Sequence, residues 1–311
     1  FESCDGPEHH VLRDLTTREL RAQPVARFAE AHLDRLAHSV IDEFADDREV
    51  DLVASFTSVF PFLTFALRTG LPVSEPATYH RWAFDILGYP GDNETGLRSA
   101  AALTEHLEPV LADRRGCPAD DLISSMITAE KDGRRLDDEE IRSHVRALFS
   151  AGAATSHHGL GTTLYALLRH PEVTTRLRAE PELIPRAVDE MLRWEPPIGV
   201  LPRIAPNDVE LAGQLVPAGS IVLMGIASAN RDETVYDDPD QFDIDRPGGR
   251  LLTFGFGSHY CPGSHLAKAQ IVAGVRALLD RFDDVRLLDA GAARPNGTVM
   301  RGPIQLPVAL G

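Results

Sequence analysis

The sequence predicts a mainly α fold with a helical core and small β-hairpin regions, carried as one domain over residues 1–311. Three observations lead there. Apolar residues recur at helical spacing along most of the chain. One stretch, 209–223, alternates and turns as a β-hairpin does. Hydrophobic residues make up 43% of the chain with no linker-like break, which favours one large core over the two domains that length alone permits.

The elements follow in order. Asp5, Pro7 and Glu8 read as a helix start: a capping carboxylate, a proline tolerated in the first turn and an acid facing the dipole. His9 and Arg13, four apart, share a face of that helix, and the ordinary reading is a solvated cationic face. Over 24–45, Val25, Phe28, Leu33, Leu36, Val40, Ile41 and Phe44 mark one helix; 52–67 is a second, more apolar one. After Gly70-Leu71-Pro72 come two helical patterns, about 75–88 and 95–114, separated by the polar run Gly88-Tyr89-Pro90-Gly91-Asp92-Asn93. A short helix over 120–131 ends at Asp132-Gly133. The acidic run Asp137–Glu140 then starts the longest helical pattern, which reaches about 170 before Pro171.

In the middle of that long helix Gly152 thins the backbone, and Thr155 can bend or open the hydrogen-bond ladder. By itself this reads as a crossing of small residues. His157 and His158 are adjacent, so they point about 100° apart and do not face one ligand together. Over 182–194, Glu190 and Arg193 lie one turn apart; an exposed pair of that kind contributes only about 0.3–0.5 kcal/mol. An amphipathic helix over 266–282 closes the core.

Charge and cysteines bound the function. With 31 basic and 47 acidic residues the formal charge is −16, which argues against nucleic acid or an anionic membrane as partner. Neither an uninterrupted apolar run of about 18 residues nor a signal-type opening is present, so no membrane insertion is expected. Cys4, Cys117 and Cys261 are widely spaced and odd in number, which suits a reducing cytoplasm rather than a disulfide framework.

The chemistry gathers at Phe254-Gly255-Phe256-Gly257-Ser258-His259-Tyr260-Cys261-Pro262-Gly263-Ser264-His265-Leu266-Ala267. Gly255, Gly257 and Gly263 allow positive φ and close approach of a bulky planar partner. Pro262 suits the first turn of a helix, whose N-terminus favours a nearby thiolate at Cys261. Such a thiolate can ligate iron. Three other readings stand beside that one: a buried structural thiol, a phosphate loop without the Lys-Ser or Lys-Thr pair it needs, and a zinc site using His259, Cys261 and His265.

Taken whole, the run resembles the haem-binding signature of the cytochromes P-450, the haem-thiolate monooxygenases, and matches it at every fixed position. The resemblance implies that Cys261 is the axial iron ligand of a haem b, that the Phe254 ring shields its sulfur, and that Gly263 lets the macrocycle approach. It implies that His9, Arg13 and Arg203 clasp the haem propionates and that His259 sits near one, with His9 preferred to His10 on register. It makes 75–88 and 95–114 the lid over the substrate, Ile198–Leu201 and the tail hairpin over 299–308 parts of the substrate pocket, and Glu190, Arg193 and Arg246 a structural triad.

The family's distal helix carries Ala/Gly-Gly-x-Asp/Glu-Thr in the register of Gly152, Ala154 and Thr155. Thr155 is kept and is placed to hydrogen-bond dioxygen or water; Ala154 stands where the acid belongs. This departure puts ordinary proton delivery in doubt and leaves Ser156, His157, water or the substrate as substitutes. The implied activity is O2-dependent hydroxylation or other oxidation of a small, largely apolar organic substrate in secondary metabolism. NAD(P)H-derived electrons would arrive through a ferredoxin and ferredoxin reductase, and Lys268 and Arg276 are expected to offer a basic docking patch. Two alternatives remain: a peroxide-driven or coupling enzyme, motivated by Ala154, and a non-catalytic haem or recruitment domain of a biosynthetic assembly. Because the chain opens on material resembling the family's C helix, the first sheet, the A and B helices and the B–C loop are expected to be absent from 1–311.

Overall fold

The computed structural model describes residues 4–88, 91–249 and 251–311. The first helix, α1, spans Gly6–Thr16 and buries His9, Leu12, Leu15 and Thr16, the spacing of one helical face. Asp5 precedes it in extended conformation but makes no side-chain cap, contrary to the sequence expectation. Its carboxylate is taken by His259 instead, at 2.8 Å from Nε2.

The pattern over 24–45 forms a rod in three pieces: α2 (Ala22–Phe28), a π-helical turn (Ala29–Leu33) and α3 (Asp34–Asp42). The short strand β1 (Glu49–Asp51) follows. The helix expected over 52–67 is split into a π-helical turn at Val53–Thr57 and α4 at Phe60–Thr69. Pro61 explains the break: it lacks an N–H, so it is accommodated in a first turn and not in a helix interior. Gly70 closes α4 at φ 92°, and a Cβ there would stand 2.4 Å from Asp121 Oδ2.

The lid patterns become α5 (Pro76–Leu87) and α6 (Asn93–Gly116), packed together; Tyr89 and Pro90 of the loop between them lie outside the described residues. A short α7 (Leu122–Thr128) leads to α8 (Asp138–Arg169). A reciprocal capping box starts α8: Glu140 N donates to Asp137 Oδ1 at 2.8 Å and Asp137 N to Glu140 Oε2 at 3.0 Å. Then come α9 (Pro171–Ala179), which periodicity alone did not single out, and α10 (Ile184–Trp194).

The hairpin region holds β2 (Val200–Ile204), β3 (Val209–Leu211), β4 (Gln214–Val216) and β5 (Ile221–Gly225). The expected hairpin over 209–223 is shorter than its pattern. Ala212 and Gly213, both at positive φ, close β3 onto β4, while β5 leaves to pair antiparallel with β2, placing Val222 opposite Arg203. After a one-turn helix α11 (Ile226–Ala229) and the cysteine loop come α12 (Ser264–Arg281), β6 (Val285–Leu287) and β7 (Pro307–Leu310). A three-stranded sheet, separate from the β2-β5 and β3-β4 pairs and in the order β1-β7-β6, joins residue 50 to residue 308. Strands of three or four residues are too short for alternation to announce them. Helix α8 runs through the middle, in contact with α4, α5, α6, α7, α9, α10 and α12.

Candidate active site

Gly255 and Gly257, at φ 73° and 81°, fold the cysteine loop back on itself. Cys261 N donates to Phe254 O at 2.8 Å and Tyr260 N to Gly257 O at 3.0 Å. The loop thereby delivers Cys261 to the start of α12. Gly263 is the N-cap, so Pro262 precedes the helix and does not sit in its first turn as expected. Cys261 stands two residues before that N-cap, beside the N-terminus of an 18-residue helix, whose dipole favours a thiolate. A Cβ on Gly263 would lie 3.9 Å from Cys261 Sγ, close enough to narrow the approach to the thiolate.

Helix α1 supplies the other wall. Arg13 donates to Tyr260 O, and its pKa is lowered by burial and raised in part by the charge of Cys261. His9 is 1% exposed and its ring lies 4.2 Å from that of His259. Burial, then His259, Arg13 and His10, lower the His9 pKa, against a weaker upward pull from Asp5. His10 is exposed. Sequence reasoning missed Asp5 as the partner of His259, since nothing local links residue 5 to residue 259. Arg203 stands apart on β2, exposed and donating to its neighbour Pro202 O.

Phe254 packs against the core with Lys268 Nζ 5.7 Å above its ring. Lys268 is also ion-paired with Asp189 at 2.7 Å, so its charge is engaged within the fold, which alters the expected docking patch; Arg276 is exposed. His265 is exposed too, and no group of three or more metal-binding side chains forms among the described residues, which removes the basis for the zinc alternative. One thiol at a helix N-terminus, a bare glycine face, and Arg13, His9 and His259 alongside make a donor set that fits a haem.

The long helix presents a different surface. Gly152 gives its space to Phe65 of α4, since a Cβ there would lie 2.5 Å from the ring. Thr155 donates its hydroxyl proton to Ala151 O at 2.7 Å, leaving the oxygen as an acceptor. Ala154 is fully buried and Ser156 nearly so. His157 Nδ1 lies 3.0 Å from Thr57 Oγ1, and burial, with His158 as the next cause, pushes its pKa down to about 3. His158 keeps some exposure, and burial and His80 push its pKa down to about 4.

A family model described as cytochrome P-450 matches residues 100–290. The polyketide biosynthesis cytochrome P-450 PksS of Bacillus subtilis is 31% identical over 98% of this chain and 76% of its own length. The cyclomarin C epoxidase CymV of Salinispora arenicola is 32% identical over 99% of this chain and 79% of its own. The solved structure of PksS matches with a TM-score of 0.92 at 30% identity, covering 99% of this chain and 80% of that one. The chain belongs to the cytochrome P-450 family. Its fold is the mainly α fold of that family, and its activity is that of a P-450 monooxygenase, whose cofactor is haem.

Beneath the P-450 cysteine loop, the triad named from the sequence comes together. Arg193 donates Nε and Nη2 to the two Glu190 carboxylate oxygens, each at 2.8 Å, and Arg246 Nε reaches Glu190 Oε1 at 3.2 Å. Both members of the first pair are buried, unlike the exposed pair assumed for the sequence estimate. The remaining Arg193 hydrogens go to the carbonyls of Asn230, Pro239 and Gln241. Asn230, which sequence reasoning passed over, ties this layer to the loop: it donates to Thr253 Oγ1 at 2.8 Å and accepts from Leu252 N at 2.9 Å. Among the described residues no helix is long and apolar enough to cross a membrane.

Proposed function

We propose that this P-450 holds haem b on Cys261 and hydroxylates or epoxidises a small, largely apolar organic molecule of secondary metabolism. The observation that carries the reading is the placement of Cys261: pinned by its own loop at the N-terminus of α12, with Arg13 within electrostatic reach. PksS and CymV, named for polyketide biosynthesis and for epoxidation, support the substrate class.

In this reading His9, Arg13 and His259 hold the propionates from α1 and the loop, Arg203 joins them from β2, Phe254 shields the sulfur, and Gly263 keeps the approach open. The haem, when bound, supplies oxygen activation, with thiolate charge favouring O–O cleavage. Thr155 offers an acceptor oxygen above that site, Gly152 keeps the helix close to α4, and the neighbouring Ala154 adds no proton donor. Electrons derived from NAD(P)H arrive through a ferredoxin and its reductase. A second reading, peroxide-driven oxidation or oxidative coupling, rests on that alanine.

The reduced, carbon-monoxide-bound absorption spectrum tests the proposal. A strongly red-shifted Soret band that disappears in Cys261→Ala is expected; a band that persists in that variant overturns the ligand assignment. Turnover with peroxide compared with turnover on reductase and O2 separates the two readings.

A further inference from the structure

Between Leu148 and Leu167 of α8, the residues that are only half-buried rather than buried are Ala151, Gly152, Thr155 and His158. Ala151, Thr155 and His158, spaced by four and then three, form one stripe on an otherwise buried helix. Helical side chains lean toward the N-terminus, so the His158 ring covers the turn that carries Ala154 and Thr155.

His157 cannot serve the same stripe: it is turned away, buried and in contact with Thr57. The His158 ring is fixed by three neighbours, with Phe84 of α5 at 5.7 Å, His157 at 4.8 Å and the backbone of Gly302. A Cβ on Gly302 would stand 2.5 Å from His158 Nδ1, so the tail turn is pressed against that nitrogen. Nδ1 is buried there with no hydrogen-bond partner among the described residues.

The titratable groups acting on His158 are His80 from α5 and His157 from its own helix, with no carboxylate among the causes of its shift. The ring is therefore neutral at ordinary pH and carries a single N–H. A proton on Nδ1 would be an unpaired buried donor, which is costly, so it belongs on Nε2, on the other edge of the ring from Gly302.

We infer that His158 Nε2–H is the distal hydrogen-bond donor of this P-450, a positioning residue that takes the place of the side chain missing at Ala154. It holds an uncharged acceptor oxygen, of water or of the substrate, beside the Thr155 hydroxyl. A neutral donor does not select for a carboxylate, so the substrate oxygen it fits is a carbonyl, ether or hydroxyl. The inference rests on the haem-thiolate reading above.

The test uses the haem-loaded protein in its reduced, carbon-monoxide-bound form, with the CO oxygen as probe acceptor. The red-shifted Soret band, read first, reports thiolate ligation independently of His158. Nitrogen-15 NMR of labelled wild-type protein is expected to show His158 protonated at Nε2 near neutral pH; an Nδ1–H tautomer or an imidazolium overturns the inference without any variant. The infrared C–O stretch is expected to move to higher frequency in His158→Phe, which removes the donor, and to stay near the wild-type value in His158→Gln. An unchanged stretch in His158→Phe overturns the inference. Spectral titrations with cyclohexanone and cyclohexane then identify the oxygen held. If His158→Phe selectively weakens the ketone about tenfold, the donor serves the substrate; if the stretch moves but neither probe weakens, it serves water.

Discussion

The cysteine loop and the middle of α8, the two faces of the proposed site, are held by opposite means. The loop is fixed by polar bonds: Cys261 N on Phe254 O, Arg13 on Tyr260 O, and Glu190 with its two arginines beneath. The distal stretch is fixed mainly by steric fit: Gly152 under the Phe65 ring and Gly302 under the His158 ring, with His157 tied to Thr57 across elements. A face that must keep a charged sulfur in place is built from directional contacts. In the proposed reading, a face that must leave room for oxygen and substrate is built from absent side chains.

The largest expected effect lies on the polar face. Cys261→Ala is expected to abolish the red-shifted Soret band while leaving far-ultraviolet circular dichroism unchanged; a retained band breaks the comparison at its base. Next comes Glu190→Ala. Arg193 would keep three carbonyl acceptors but lose its buried counter-charge, and such losses cost about 3–5 kcal/mol. Urea unfolding should show that loss. A change below about 1 kcal/mol, the usual value of a surface pair, would mean that the layer is solvated and that carbonyls alone support the arginine.

Smaller effects are expected on the steric face. Gly302→Ala forces a methyl against the His158 ring, and Gly152→Ala does the same against Phe65. Overpacking of this kind costs about 1–3 kcal/mol. The sharper measurement is a double-mutant cycle: in a His158→Ala background the Gly302→Ala penalty should shrink, because the Nδ1 and Cγ atoms it meets are gone and only the Cβ at 3.0 Å stays. If the two penalties simply add, His158 and Gly302 are not packed as described.

The same contrast explains what could be read from the sequence. The cysteine loop was legible because its chemistry lies in one contiguous run, and the Glu190 triad because its members occur within recognisable local patterns. Distal partners are scattered. Thr57 meets His157 across 100 residues, and Gly302 reaches His158 only after the chain has passed through the cysteine loop and α12. Periodicity marks Gly152 as a thin place without saying which ring fills it. It also overran at Pro61 and in the 209–223 hairpin, where a missing N–H and a change of pairing partner ended the element early.

A last prediction follows the histidines into pH dependence. His157 and His158 have pKa values of about 3 and about 4 in the fold against an ordinary 6.5, because burial penalises the charged ring. Their folded values are depressed, so between pH 6.5 and 4 the unfolded chain binds protons that the native state does not. Stability is then complete above about pH 6.5 and falls as pH drops toward the folded values, by at most about 1.4 kcal/mol per pH unit for each histidine. Lowered carboxylates such as Asp14 and Asp245 start to add to the loss below their ordinary value of 3.8, outside the upper part of this window. Replacing His157 by Gln keeps a polar partner for Thr57 and removes the titration. The slope of the urea midpoint between pH 6.5 and 5 should therefore flatten in that variant, whereas an unaltered slope would show that water reaches the ring and that the distal wall is less tightly packed than its contacts imply.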